Sequence, residues 1–133
     1  MKLLILLPFF LAATLANENT DCKSCFPATS SDCVDASGQI PTDGSTLDDN
    51  SNTLWTSGSC TIEFIPNGGS PDGNDVLGVA QSFLSDCCSG DSCSGVAYDT
   101  GSSTALQNGC LCFHEEGKTP CICGAGTPSM TCI

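Results

Sequence analysis

The stretch CTIEFIPNGGSPDGNDVLGVAQSFLSDCC, residues 60–88, decides how the rest of the chain is read. Its first six residues alternate, with Cys60, Ile62 and Phe64 on one face and Thr61 and Glu63 on the other. That period of two predicts a strand, Ile65 being the one residue out of pattern. Pro66-Asn67-Gly68-Gly69 ends it, because glycine and proline punctuate extended chain. Beyond the turn, Asp72, Asn74 or Asp75 can cap free amide donors, and Val76, Val79, Ala80, Phe83 and Cys87 recur at helical spacing. Leu77 and Leu84 widen that apolar stripe, and Ser89-Gly90 should stop the helix. An amphipathic helix beside a one-faced strand needs a shared apolar layer. The fold class expected is therefore α+β, a small disulfide-rich domain in which one main helix packs on a small antiparallel sheet.

Further strands are read downstream. Gly95 to Asp99 is one, and Cys110 to His114 with Thr119 to Cys123 reads as a hairpin around Glu115-Glu116-Gly117-Lys118. Alternation puts Cys110, Cys112 and His114 on one face of it, with Leu111 and Phe113 on the other. A symmetric turn at Glu116-Gly117 would set Cys112 opposite Cys121 and Cys110 opposite Cys123, so these cysteines could bridge one another or reach the helix above. Cys87 and Cys88 point about 100° apart on the helix and can tie two different elements to its end. Upstream, residues 17–59 read as a turn-rich arm without periodicity, stapled near its start by Cys22, Cys25 and Cys33. Thr42 to Thr53, free of cysteine, is the expected mobile loop. The arm and the core of residues 60–133 form one domain in this reading.

Residues 1–16 have the form of a secretion signal: Met1-Lys2, an apolar run from Leu3 to Leu15, and the small-residue exit Ala13-Thr-Leu-Ala16. Cleavage is expected after Ala16. The run is shorter than the roughly 20 residues a membrane helix needs, and Thr131-Cys132-Ile133 closes the chain without a hydrophobic tail. No membrane anchor is expected, and the product is read as secreted. The cysteines are Cys22, Cys25, Cys33, Cys60, Cys87, Cys88, Cys93, Cys110, Cys112, Cys121, Cys123 and Cys132. This even set, in an oxidising compartment, predicts six disulfides in preference to zinc thiolates, although Cys22-Lys-Ser-Cys25 has zinc-ligand spacing. With six phenylalanines, one tryptophan and one tyrosine the core is thin, so bridges worth about 2–4 kcal/mol each decide whether the domain folds.

Three lysines, no arginine and 15 acidic residues give a net charge of −12. Losing Lys2 with the signal leaves Lys23 and Lys118 as the only cations, which disfavours nucleic acid and anionic membranes as partners. His114, the only histidine, sits beside Glu115 and Glu116 and is the one candidate general base. No serine is singled out as a nucleophile and no Gly-x-Ser-x-Gly elbow exists, so His114 is read as a solvent-facing residue at the hairpin end. A two-carboxylate glycosidase site finds little of a sugar-stacking groove to support it. Asp72-Gly-Asn-Asp75 and Asp48-Asp-Asn50 could offer oxygens to calcium but do not follow EF-hand spacing; helix capping is the simpler role for the first. Trp55 is read as a core anchor. No catalytic residue, cofactor or metal ligand is assigned.

Trp55, Ser57-Gly-Ser-Cys60-Thr-Ile-Glu-Phe64, Asn74-Asp-Val76 and Phe83-Leu-Ser-Asp-Cys87 together resemble the killer-toxin-like small secreted cysteine-rich proteins of fungi, nearest the necrosis-inducing effector group. The likeness covers about residues 54–88. It implies a secreted effector or toxin-like protein that binds an unknown protein or surface target outside the producing cell; that the protein is not an enzyme is expected from the lack of a catalytic constellation among its residues. A structural cell-wall or surface protein is the alternative expectation, and a small secreted hydrolase or inhibitor the third.

Overall fold

The computed structural model describes residues 19–99, 104–123 and 128–131. The signal segment 1–16 and Cys132 of the sequence reading lie outside them. Cys60–Ile65 is a strand, β4, as its alternation requires, and Gly73–Cys87 is the helix, α2. Asp72 is its N-cap and accepts a hydrogen bond from the Asn74 amide at 2.7 Å. Val76, Val79, Ala80 and Phe83 are buried along one side of it, which is the stripe read from the sequence.

Three more long-range strands join β4. They are β1 (Asn19–Cys22), β6 (Gly95–Tyr98) and β7 (Cys110–Glu115), and with β3 (Thr53–Ser57) they make a five-stranded sheet in the order β1-β6-β7-β4-β3. Every neighbouring pair is antiparallel. The alternating registers divide the side chains cleanly. Trp55, Cys60, Ile62, Phe64, Ala97, Leu111 and Phe113 take one face, and Thr61, Glu63, Val96, Cys112 and His114 the other. The first face packs beneath α2, where the Phe83 and Phe113 rings stack with centroids 4.0 Å apart and planes 10° from parallel.

Residues 17–59 depart from the turn-rich reading. They hold β1, β3, the short strand β2 (Ala28–Thr29) and a second helix, α1 (Ser30–Ser37). Serine, aspartate and cysteine are weak helix formers, and no broad apolar stripe marks Ser30–Ser37, so the helix exists because tertiary contacts hold it. Cys33 and Ala36 are fully buried, Cys33 is bonded to Cys60, and the Asp32 carboxylate accepts hydrogen bonds from the Ser59 amide and hydroxyl at 2.8 Å each. Asp32 can sit there because Gly58, at φ +53°, has no Cβ to collide with its carboxyl group. The Thr42 to Thr53 segment is tied down as well. Leu47 is buried and its amide donates to the Pro71 carbonyl at 2.9 Å, while the Gly73 amide donates to the Ser45 carbonyl at 3.0 Å.

The C-terminal reading is corrected in its pairing. Thr119 to Cys123 does not return along β7, because β4 and β6 already occupy both edges of that strand. Instead Cys121–Ile122 (β8) pairs with Ser129–Met130 (β9), with the register Cys121↔Met130. The resulting ribbon is fastened by the disulfides Cys110–Cys123 and Cys112–Cys121, the direct-bridging alternative of the sequence reading. Cys112, Cys25 and Met130 form a small second core there, with Phe26 and Cys121 packed against it.

Cys87 and Cys88 do tie two elements to the helix end, Cys87 to Cys22 on β1 and Cys88 to Cys93. Ser92–Cys93 is β5, and it pairs with β2. Cys25 is disulfide-bonded too, and among the described residues no cysteine is free. The protein is a small disulfide-rich α+β domain.

Candidate functional site

On the second face of the sheet, polar side chains are placed by register in the middle of the structure. Glu63 on β4 stands between Leu54 on β3 and Cys112 on β7, and Thr61 stands between Thr56 and His114. Both flanking strands are in place and the C-terminal ribbon covers part of the face, so Glu63 is 6 % exposed and His114 0 %. The solvent position read for His114 is thus overturned. The sequence neighbours that suggested it, Glu115 and Glu116, are exposed, but the imidazole lies on the covered polar face of the sheet, against Glu63.

His114 Nε2 lies 3.2 Å from Glu63 Oε1, and its Nδ1 lies 2.9 Å from the Glu115 carbonyl oxygen. The second Glu63 oxygen, Oε2, accepts a 2.7 Å hydrogen bond from Asn52 Nδ2. Both ring nitrogens therefore face acceptors, and both bonds are made in full when each nitrogen carries a proton. The His114 hydrogen bond holds the Glu63 carboxyl below its ordinary range; burial opposes that effect, and Asn52 and the charge of His114 reinforce it. A general base needs a ring nitrogen free to meet a substrate. Neither nitrogen of His114 is free, and the ring has no solvent contact.

No protein-family model, curated protein or solved structure matches this chain.

Other sequence candidates are engaged locally. Asp72 caps α2, and Asp48 accepts from the Asn50 amide at 2.9 Å and from the Ser51 hydroxyl at 3.0 Å. These are local turn- and cap-forming bonds to residues two or three positions along the chain. Among the described residues no group of three or more histidine, cysteine, aspartate or glutamate side chains converges as a metal site. Trp55 is 6 % exposed within the main core, the anchor role read for it, although it stands on β3 itself.

Sequence reading missed three participants. Glu63 was legible as the polar side of an alternating strand, but nothing in the chain joined it to His114, 51 residues away. Asn52 carried no signal. Asp99, 3 % exposed at the end of β6, accepts from the Thr104 hydroxyl at 2.6 Å and from the Leu106 and Asn108 amides at 2.8 and 3.3 Å, which organises the loop before β7.

At the end of the sheet near Glu115, an open cleft of about 460 Å³ is lined by Phe26, Gly117, Lys118, Thr119, Pro120 and Thr131. Lys118 Nζ stands 5.3 Å above the Phe26 ring, a cation–π distance. The other described lysine, Lys23, is paired with Asp21 at 3.3 Å. Phe26 has a left-handed backbone, φ +48°, and its carbonyl accepts from the Glu115 amide at 2.7 Å. Such a conformation costs a bulky residue of order 1–3 kcal/mol and persists only when its surroundings impose it.

Proposed function

We propose that this is a secreted, non-enzymatic binding protein of the effector or toxin-like kind, acting on a protein or surface target outside the producing cell. One observation carries the reading. The only histidine of the chain is buried with both ring nitrogens engaged, while disulfides fasten both helices and the C-terminal ribbon to a single sheet. Disulfide density of this kind is characteristic of small extracellular scaffolds, which it keeps folded outside the cell. The likeness of residues 54–88 to killer-toxin-like proteins supports the same direction, and the Phe26–Lys118 cleft offers a contact surface with an aromatic face and a cation.

The test is infiltration of purified oxidised protein into leaf tissue, beside a reduced and alkylated control and the Lys118→Ala variant. Cell death with the oxidised form alone supports a fold-dependent effector. Equal activity of the alkylated control sinks it, and so does recovery of the protein in the insoluble wall fraction without any response. Retention of activity by Lys118→Ala removes the cleft as the contact.

A further inference from the structure

Asn52, Glu63, His114 and the Glu115 carbonyl form a continuous line of hydrogen bonds, 2.7, 3.2 and 2.9 Å long, running across β4 and β7 from the residue that precedes β3. Three facts about β3 make that line matter. It is an edge strand, paired only with β4. It carries no cysteine, whereas β4, the strand it pairs with, is bonded through Cys60 to α1. Apart from the ladder, its polar ties among the described residues are the Gln39 side-chain amide donating to the Thr56 carbonyl at 2.7 Å and the Thr56 and Thr61 hydroxyls 3.2 Å apart.

The geometry points to an acid-sensitive clamp: Asn52, Glu63 and His114 hold edge strand β3 on the sheet, and protonation of Glu63 raises the population in which β3 is detached while the disulfide-bonded remainder stays folded. A neutral carboxyl group carries one proton of its own. That weakens the charge-assisted bond it accepts from Asn52, the tie to the β3 side, along with the ionic part of its bond to His114; β7 keeps two strand neighbours and two disulfides, whereas β3 keeps one neighbour and no disulfide. The direction follows from the depressed carboxyl of Glu63, whose ordinary value is 4.5. A carboxyl held lower in the folded state contributes stability above its unfolded value and loses that contribution as pH falls through its folded value.

Among the described residues, Asp32 on α1 is the one other carboxylate tied to this hairpin, through Ser59 in the β3–β4 turn, at the opposite end of β3 from Asn52 and away from Glu63. The remaining charged and titratable groups around the clamp do not substitute for it. On β3 there are none, and Leu54 and Cys112 are the residues directly opposite Glu63. Asp48, in the loop before Asn52, is committed to Asn50 and Ser51, and Asp49 beside it is exposed. Glu115 and Glu116 are exposed at the far end of β7, and Lys118 lies over Phe26. Tyr98 on β6 and Asp21 on β1 share the sheet face but stand two and three strands from β4. The bridged Cys110, Cys112, Cys121 and Cys123 do not titrate.

Amide exchange of the oxidised full chain tests the clamp directly, with Trp55 fluorescence as a second reporter because this tryptophan is buried on the strand in question. Between about pH 6.5 and about pH 2.5, which spans the carboxylate range, protection factors of Thr53–Ser57 should fall about fivefold more than those of β7, the equivalent of one net hydrogen bond of ~1 kcal/mol. Glu63→Gln should abolish the difference between the two strands. Asn52→Ala, which alters only the exposed end of the line, should lower β3 protection already at the higher pH and shrink the acid response. Should β3 and β7 lose protection together in the natural protein, or should Asn52→Ala and Glu63→Gln keep its full acid response, the clamp does not exist.

Discussion

One face of the five-stranded sheet is closed by Phe83 lying on Phe113 beneath α2; the other is closed by a disulfide-tethered ribbon and by Glu63 bonded to His114. Phe113 and His114 are consecutive residues, so the difference is made by the pleat alone. The apolar face is held by contact area, which tolerates small shifts and is indifferent to proton concentration. The polar face depends on directed bonds in a dry environment, where each donor must meet its acceptor and the strength of the arrangement varies with pH. Disulfides close both faces, Cys33–Cys60 and Cys22–Cys87 fastening the two helices and Cys110–Cys123 and Cys112–Cys121 the ribbon, so the difference between the faces lies in the buried ionisable pair that, among the described residues, only the second one carries.

The contrast can be broken most severely on the apolar face. Phe113→Ala removes a fully buried ring and its stacking partner's contacts, and should lower unfolding free energy by about 3–5 kcal/mol in a denaturant titration. Next come the bridges. Replacing Cys22 and Cys87 together by alanine opens a closure spanning 65 residues and should cost about 4 kcal/mol, whereas the Cys88–Cys93 pair spans 5 residues and should cost about 2 kcal/mol on the same chain-entropy scale. Equal costs for the two would show that strain or residual structure in the unfolded chain governs these bridges instead.

On the polar face, His114→Ala leaves the Glu63 carboxylate facing a cavity, and a loss of about 3 kcal/mol at neutral pH is expected. That loss should diminish as pH is lowered through the Glu63 range, since the carboxyl then has less charge to strand; the Phe113→Ala loss should stay constant over the same titration. A pH-independent cost for His114→Ala would erase the distinction between the faces. The smallest change sharpens the start of α2. Asp72→Ala removes the N-cap bond to Asn74 and should cost about 1 kcal/mol, read as a shift of the denaturation midpoint with unchanged slope.

Legibility in the sequence followed the locality of the cause. The helix over Gly73–Cys87 and strand β4 announced themselves because their apolar residues repeat at the periods of the structures they form. The sides of β7 were also legible, Leu111 and Phe113 against Cys110, Cys112 and His114. Its partners were not. A hairpin from Cys110 to Cys123 satisfies every local rule, yet β4 and β6 pair with β7 instead, because they cover both its edges and bring Ile62, Phe64 and Ala97 into the layer beneath α2. The helix Ser30–Ser37 was hidden for a related reason. Its residues have little helical preference of their own, and Cys60, Ser59 and the underside of β3 and β4 supply what holds it.

The candidate site shows the same divide. His114 was visible as the chain's one histidine, and its adjacent glutamates suggested a surface position. Its actual partner is Glu63, 51 residues earlier, and only the pairing of β4 with β7 brings the two together.

By itself the sequence determined the cysteine supply, the acidic net charge and the strand-then-helix order, since composition and short-range periodicity require no knowledge of the rest of the chain. The tertiary structure alone decided which cysteines meet, which strands are neighbours, and that a lone histidine becomes a buried bonded group rather than an exposed one. Those outcomes depend on contacts between residues far apart along the chain, and such contacts are selected by the free energy of the whole packed assembly, not by any segment of it.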